Sequence, residues 1–350
     1  MHFSIMKLNK IFTIAISLGA FALISSCKGP EGPAGPAGPA GADGADGTDG
    51  TPGVAGNAVC MECHNATKNA AITAQWAAST HGLGEVAHSR GGSKSCAMCH
   101  SDQGFRETQY TGQDTMIDNS GLPQAIQCGT CHDFHQSLDF ENEPNYALRT
   151  MGPVDLLMYR AADPGADPVT LDLGDESNLC ANCHQPRRVG PDLTADSAYV
   201  SSSHYGPHHG PQATSLAGLG ASEVGTGYPA PGTGSTHVTS STCVTCHMHD
   251  GEHTWEPSLT SCNTEACHNG ALTSVTDNTR QLAFATSMAT LEAKLTTAGL
   301  LLDGHPNPGT YPADQVGALY NYEWLVDDRS NGVHNFPYLE RMLANSIAVF

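Results

Sequence analysis

The sequence predicts a mostly irregular chain with α-helices, little β structure and a helical C-terminal segment. Residues 59–270 are rich in Gly, Pro, Ser, Thr and His and contain no long periodic apolar run. Residues 271–350 instead repeat apolar side chains at helical spacing. Since no ordinary apolar core is evident in residues 59–270, the 13 cysteines of the chain are the first candidates for what holds that region together.

The first 26 residues resemble a secretory signal, because Lys7 and Lys10 precede an apolar run over residues 11–24. That run is short for a membrane helix, which is the alternative interpretation. The run ends in LISSC, which resembles a bacterial lipoprotein cleavage box. We therefore expect cleavage before Cys27 and lipid attachment to its thiol. An ordinary cleaved signal with an unrelated cysteine is the alternative.

Residues 29–58 form ten unbroken Gly-x-y triplets, the repeat of collagen. Three chains could wind into a triple helix, which would make the protein a homo-oligomer. Alternatively, one chain could form an extended spacer of roughly 90 Å, at about 3.1 Å per residue. We favour the spacer, because the repeat is short and holds only five prolines. In both cases the segment would separate the following region from a lipid anchor.

The chain is strongly acidic, with a formal net charge of −20. Loss of the first 26 residues would remove two lysines and no acid, which leaves a net charge of −22. A nucleic acid or an anionic lipid surface is therefore disfavoured as a partner.

Three helices are predicted in residues 271–350, each from a stripe of apolar residues. The stripes are Phe284, Met288, Leu291 and Leu295; Val316, Leu319, Tyr322 and Val326; and Leu339, Met342, Leu343 and Ile347. Gly299 is expected to end the first helix, Pro312 to precede the second and Asn335 to cap the third. We interpret the stripes as packing faces.

Apart from Cys27, the cysteines form six pairs, and a histidine directly follows the second member of each. The pairs are Cys60/Cys63, Cys96/Cys99, Cys128/Cys131, Cys180/Cys183, Cys243/Cys246 and Cys262/Cys267; the histidines are His64, His100, His132, His184, His247 and His268. Zinc ribbons and disulfide frameworks need paired cysteines but not this histidine. Covalent attachment of haem c needs two thioether-forming thiols and an iron ligand.

The pattern therefore predicts six haem c groups and a haem-packed core, in which porphyrins supply the missing apolar bulk. Five pairs have the spacing C-x-x-C-H, and the last pair, C-x-x-x-x-C-H, is a looser variant.

The motifs of residues 60–350 resemble those of secreted multihaem c-type cytochromes with two histidines on each iron, distantly related to pentahaem nitrite reductases. The resemblance rests on short segments, namely WAASTH, CGTCHDFH, HYGPHHGPQ, HTWEP and GVHNFP, and on a histidine ahead of the fifth motif. It implies distal iron ligands at His81, His135, His208, His237, His253 and His334. A solvated loop histidine is the alternative at each position. Reserve candidates are His88, His204, His209, His249 and His305, and His184 has no obvious partner nearby in sequence.

Acidic residues cluster before the fourth motif, at Asp163, Asp167, Asp172, Asp175 and Glu176. Calcium binding is one interpretation of the cluster, and a solvated acidic loop is the interpretation that we favour.

We interpret the protein as an electron carrier of the bacterial envelope, lipid-anchored and either periplasmic or on the outer membrane or cell surface. Its partners would be redox proteins or an extracellular acceptor. One alternative is a reductase of nitrite, hydroxylamine or sulfite with one open haem. The nitrite reductases that the motifs resemble commonly mark their active haem with C-x-x-C-K, and the absence of that motif here disfavours this alternative. A trimer-forming or filament-forming conductive cytochrome is the other alternative.

Overall fold

The structure is a computed structural model that describes residues 60–61, 64–135, 137, 146–165, 167–174 and 176–350. Residues Val54–Phe350 form one compact unit, and the second unit, Met1–Gly53, lies outside the described residues. The predicted signal, Cys27, the Gly-x-y repeat, Cys63 and Asp175 also lie outside them.

Short helices and turns make up most of the described chain. The helices are α1 Ala66–Ala78, α2 Thr80–Leu83, α3 Glu85–Arg90, α4 Ala97–His100, α5 Asp102–Thr111, α6 Cys128–Cys131, α7 Leu157–Ala162, α8 Ser177–Ala181, α9 Gln212–Ala217, α10 Thr236–Ser240, α11 Cys243–His247, α12 Leu259–Cys262, α13 Thr279–Thr297, α14 Ala313–Asp328 and α15 Phe336–Ala348. A 3₁₀ turn spans His249–Gly251. The predicted fold class, mostly irregular and helical, is confirmed.

Strands are few and short among the described residues. They form three two-stranded antiparallel sheets, β1 Val154–Asp155 with β2 Thr170–Leu171, β3 Ser197–Val200 with β6 Gly309–Pro312, and β4 Leu301–Leu302 with β5 His305–Pro306. The β3–β6 pair joins the cysteine-rich region to the C-terminal helices.

The three helices predicted near the C-terminus are confirmed. Helix α13 ends at Thr297 and Gly299 follows with φ 77°, a conformation in which glycine is favoured. The Asn335 side chain caps α15 by accepting a hydrogen bond from the Tyr338 backbone N–H. The prediction that Val326 belongs to the packing face of the second helix is wrong, since Val326 is 45% exposed. Trp324 and Leu325 of the same helix face the core instead.

The expectation that residues 59–270 lack an ordinary core is wrong from Val154 onward. Val154, Leu156, Met158 and Leu171 are buried in the same cluster as the C-terminal helices. These residues come from short strands and single turns, so they leave no helical or alternating pattern in the sequence. The cluster fixes helices α13, α14 and α15, and the loop between α14 and α15 carries one of the predicted iron ligands.

Candidate haem sites

The four C-x-x-C-H motifs that the structure describes in full, at residues 96–100, 128–132, 180–184 and 243–247, each form a single helical turn. The backbone N–H of the motif histidine donates to the carbonyl of the first cysteine, as from His132 to Cys128 at 2.9 Å and from His184 to Cys180 at 2.9 Å. Residues three and four apart on a helix share a face. The two thiols and the imidazole of a motif therefore project to one side, as attachment of one planar group requires. We name each site after its motif histidine.

The looser last motif reaches the same arrangement. Although His268 lies six positions after Cys262, the His268 N–H still donates to the Cys262 carbonyl at 3.2 Å. The extra residues are taken up by a tight turn in which Cys267 N–H donates to Thr264.

One continuous cavity of about 2690 Å³ connects the motifs. Its lining includes the motif histidines, all described motif cysteines and the six histidines predicted as distal ligands. A pocket for one small ligand has a volume of about 300–1,000 Å³. This cavity is therefore of a size for several large groups, and its walls carry the residues that would attach them.

Five motif histidines face a second histidine across the cavity. The ring centroids are 6.1 Å apart for His64–His135 and His81–His184, 6.2 Å for His132–His253 and His237–His268, and 6.4 Å for His247–His334. His81 thus supplies the partner that the sequence did not reveal for His184. The predicted distal residues His81, His135, His237, His253 and His334 all lie in these pairs.

The spacing fits an iron atom between the two rings. A bond from a first-row metal to imidazole nitrogen is about 2.0–2.1 Å, and that nitrogen lies about 1.1 Å from its ring centroid, so two axial histidines place their centroids about 6.2 Å apart. Histidine rings that were in direct contact or joined by a hydrogen bond would not need to keep the same centroid separation in all five pairs. The residues present therefore fit haem iron.

The rings are held by hydrogen bonds from Nδ1, the nitrogen that a haem-ligating histidine leaves free when Nε2 binds iron. The acceptors are the carbonyls of Tyr146 for His132 (2.8 Å), Val333 for His237 (2.6 Å), Trp255 for His247 (2.7 Å) and Gly251 for His253 (2.9 Å). Because a carbonyl only accepts, Nδ1 carries the proton and Nε2 keeps its lone pair for a metal.

Two sites use side chains as the Nδ1 partner. His184 Nδ1 is 3.2 Å from Gln212 Oε1, and His334 Nδ1 is 2.8 Å from Asp328 Oδ1. Neither Gln212 nor Asp328 was predicted from the sequence. The acid-x-Ser-x-x-x-His order of Asp328, Ser330 and His334 is the one signal that could have drawn attention to the loop.

Burial favours neutral imidazoles at four of these positions, where it lowers the pKa. It lowers the pKa of His81 to about 4, with a further contribution from His184, and it lowers the pKa values of His247 and His253. The His184 ring is exposed to the cavity, but the cavity itself is surrounded by protein. Burial therefore lowers the pKa of His184 as well. A neutral imidazole is the form that binds a metal.

His334 differs from the other ligands. Burial lowers its pKa, but the charge of Asp328 and the hydrogen bond to it outweigh burial, so the pKa is raised. Burial also opposes ionisation of Asp328, yet its contacts with His334 and with the Ser330 hydroxyl hold the Asp328 pKa below its usual value.

The His100 site is the exception to the paired arrangement. Within the described chain, no imidazole ring lies at the spacing of the other five pairs from His100. His208, which was predicted as a distal ligand without an assigned site, is near enough to His100 for electrostatic interaction, and burial followed by Arg187 lowers its pKa to about 4. Burial and Arg187 also lower the pKa of His100. The neighbouring His209 is turned outward and pairs with Asp327 at 2.9 Å.

The remaining candidates lie away from the histidine pairs. His88 and His305 are exposed, His204 is within 3.4 Å of the Ser203 hydroxyl, and His249 is 3.5 Å from the Asp250 carboxylate.

In the acidic segment, Asp172 accepts hydrogen bonds from Gly174 and Asn178. Among the residues that the structure describes, no group of three or more His, Cys, Asp or Glu side chains is placed to hold a free metal ion.

The sites touch one another through their cysteines. Cys99 Sγ donates to the Asn182 carbonyl at 3.8 Å and Cys183 Sγ donates to the Met98 carbonyl at 3.7 Å, so the two thiols lie beside each other. The Cys180 and Cys243 thiols likewise lie close enough for each to influence the pKa of the other. The His184 site therefore adjoins both the His100 and His247 sites.

Comparisons with known proteins show limited similarity. No family model matches the chain, and no curated protein matches it. The outer cell wall cytochrome OcwA has a solved structure that aligns with a TM-score of 0.49 and 21% identity, over 78% of this chain and 48% of that chain. The undecahaem cytochrome from the S-layer of Carboxydothermus ferrireducens aligns with a TM-score of 0.44 and 19% identity, over 80% and 40%. The chain thus spans about half, or less, of the length of each.

Nothing in the described part of the chain is a helix with the length and apolar character needed to cross a membrane.

Proposed function

We propose that the chain is an electron-transfer protein that holds six covalently attached c-type haems at the bacterial envelope. The observation that carries the proposal is the set of five histidine pairs with nearly constant centroid separations of 6.1–6.4 Å, each pair containing one motif histidine. Bound between such pairs, haem iron would exchange single electrons, and two imidazoles would leave no position for a substrate.

The contacts between motifs support a branched order of sites. The His184 site is central, because its cysteines contact those of the His100 and His247 sites and lie within electrostatic range of Cys131 of the His132 site. His135, the partner of His64, follows His132 by three residues and so places the His64 site beside the His132 site. At the other end, Cys246 lies within electrostatic range of Cys262 and Cys267 of the His268 site.

The test is expression of the full chain with a haem maturation system, followed by mass measurement and EPR of the oxidised protein. We expect six haems per chain, at least five of them low-spin. Replacing one paired histidine, as in H253A, should convert one haem to a high-spin form. The control H305A changes an exposed histidine outside the pairs and should leave the spectrum unchanged. Fewer than six haems, or an unchanged spectrum in H253A, would overturn the proposal.

The second candidate function is reduction of a small nitrogen or sulfur oxyanion at the His100 site. This site lacks the ring spacing of the others, and Arg187 supplies positive charge beside it in a strongly acidic chain. An open iron facing a cationic side chain would suit a small anion. If His208 instead moves onto the iron, the site is closed and the electron-transfer function stands alone.

EPR of the native protein distinguishes the two functions. A single high-spin haem that changes on addition of nitrite, hydroxylamine or sulfite would support the reductase. Six low-spin haems, with one converted to high-spin in H208A but not in H204A, would support ligation by His208. We retain electron transfer as the primary function, because it follows from five sites and the reductase from one.

We also propose that the chain reaches its partners from a lipid anchor at Cys27, with the Gly-x-y repeat as a spacer. Redox proteins or an extracellular acceptor would be the partners, and their contacts with a tethered carrier are small and transient. Mass spectrometry of the mature N-terminus in the wild type and in C27A tests the anchor. Light scattering of the soluble C27A protein tests the alternative of a triple-helical trimer or filament.

A further inference from the structure

The environment of His334 sets the His247 site apart from the other paired sites. Asp328 is 3% exposed, ends helix α14 and accepts the Nδ1–H of His334 at 2.8 Å. Its second carboxylate oxygen accepts from the Ser330 hydroxyl. Among the Nδ1 hydrogen bonds described above for six of the paired histidines, this is the one that ends on a carboxylate; the other five acceptors are backbone carbonyls and the amide oxygen of Gln212.

We propose that Asp328 sets the reduction potential of the His247 site below that of the His132, His184 and His268 sites, where the Nδ1 acceptors are neutral. The inference rests on the proposed function, because it concerns a haem held between His247 and His334. Asp328 is a positioning residue: it acts on the iron through His334 and has no contact with substrate.

An anionic acceptor changes the ligand more than a neutral one does. The carboxylate draws the Nδ1 proton toward itself, which makes Nε2 a stronger electron donor to iron. The ferric form carries one more positive charge than the ferrous form, so a stronger donor and a nearby negative charge both favour the ferric state. Because Asp328 is buried, salt in solution screens this interaction only weakly.

The loop that carries Asp328 also serves the neighbouring site. The Val333 carbonyl accepts from His237 Nδ1 at 2.6 Å, and His237 faces His268. One loop thus carries His334, a predicted ligand of the His247 site, and orients His237, a predicted ligand of the His268 site. Of these two histidines, His334 donates to a carboxylate and His237 to a backbone carbonyl. The His247 site also lies between the central site and the His268 site, so a low potential there would place an unfavourable step between them.

The test is a spectroelectrochemical titration of the haem-loaded full chain, followed site by site through EPR. Asp328→Asn keeps the size of the side chain and removes its charge. We expect the potential of one haem to rise by at least about 59 mV, a tenfold change in a one-electron equilibrium, with the other five unchanged. Asp314→Asn removes an exposed charge from the first turn of the same helix and should move no potential by that amount.

A second variant tests the sign. Ser330→Ala removes a hydrogen-bond donor from the carboxylate, which becomes a stronger acceptor for His334, so the potential of the same haem should fall. If the loop had a purely structural role, the two variants would not shift the reduction potential in opposite directions. If Asp328→Asn does not mature, the downward shift in Ser330→Ala alone supports the proposal, and no shift overturns it.

The outcomes separate this inference from the proposed function. A wild-type chain without six haems, or without low-spin paired sites, contradicts the proposed function. Six haems with paired sites, but equal potentials in wild type and Asp328→Asn, would overturn the role of Asp328 only.

Discussion

Replacing Asn335 tests how strongly the apolar core controls the histidine loop. Asn335 is fully buried and follows His334 directly. Its Oδ1 accepts from the Tyr338 N–H at 3.2 Å and caps α15, while its Nδ2 donates to the Leu216 carbonyl at 3.0 Å. The substitution N335A would remove both bonds. It would also leave the Leu216 carbonyl without this donor in a region closed to water.

The expected loss follows from these two contacts. An N-cap is worth about 1 kcal/mol, and a buried polar group without its partner costs about 1–3 kcal/mol. We therefore expect N335A to lower the free energy of unfolding by about 2–4 kcal/mol. N335S keeps a capping oxygen but cannot reach Leu216, so it should lose about half as much.

Guanidinium denaturation of the haem-loaded protein, followed by far-UV circular dichroism, measures these losses. The control is N345A, which removes a partly exposed side chain of the same helix whose hydrogen bond to the Thr226 carbonyl, at 3.0 Å, lies at the surface. Exposed substitutions usually change stability by about 0.5 kcal/mol or less. Equal unfolding midpoints for N335A and N345A would refute the coupling between cap, core and loop.

Three further predictions concern single positions. H81A should convert one haem of six to high-spin, because it removes the ring that faces His184, and unchanged EPR would contradict the pairing. G332A should destabilise by about 1–3 kcal/mol in thermal melts, since Gly332 has φ 92° and an added Cβ would lie 2.7 Å from the Phe336 ring. Burial, then Asp327, raises the pKa of Glu323 to about 7, so folding favours its protonated form and stability falls as pH rises from about 4.5 to 7. E323Q should therefore gain roughly 1–3 kcal/mol over wild type above pH 7 and nothing below pH 4 in pH-dependent melts.

The sequence predicted well those features that lie within one short segment. The spacing of twelve cysteines and six histidines predicts attachment sites, because thioether and iron chemistry act over a few neighbouring residues. The apolar stripes of α13 and α15 predict helices for the same local reason.

Contacts between residues far apart in the chain could not be predicted from the sequence. His81 faces His184 across more than a hundred residues, and Asp328 is an ordinary acid until the fold places it against His334. The core was missed where Val154 and Leu171 enter it from two-residue strands. Short strands contribute one buried residue each, so periodicity has nothing to detect.

The division between apolar core and haem cavity explains why the loop of residues 328–335 is important. Its two ends are fixed by protein packing, at Asp328 on α14 and Asn335 on α15, and both are buried. Its middle contains residues with positive φ, Arg329, Asn331 and Gly332, and non-glycine residues keep this disfavoured conformation only where the surrounding structure holds them. The loop therefore transmits the rigidity of the core to His334, and through the Val333 carbonyl to His237. A protein whose ligands come from loops can keep their geometry only if such loops are anchored in a packed core, and here the C-terminal helices provide that core.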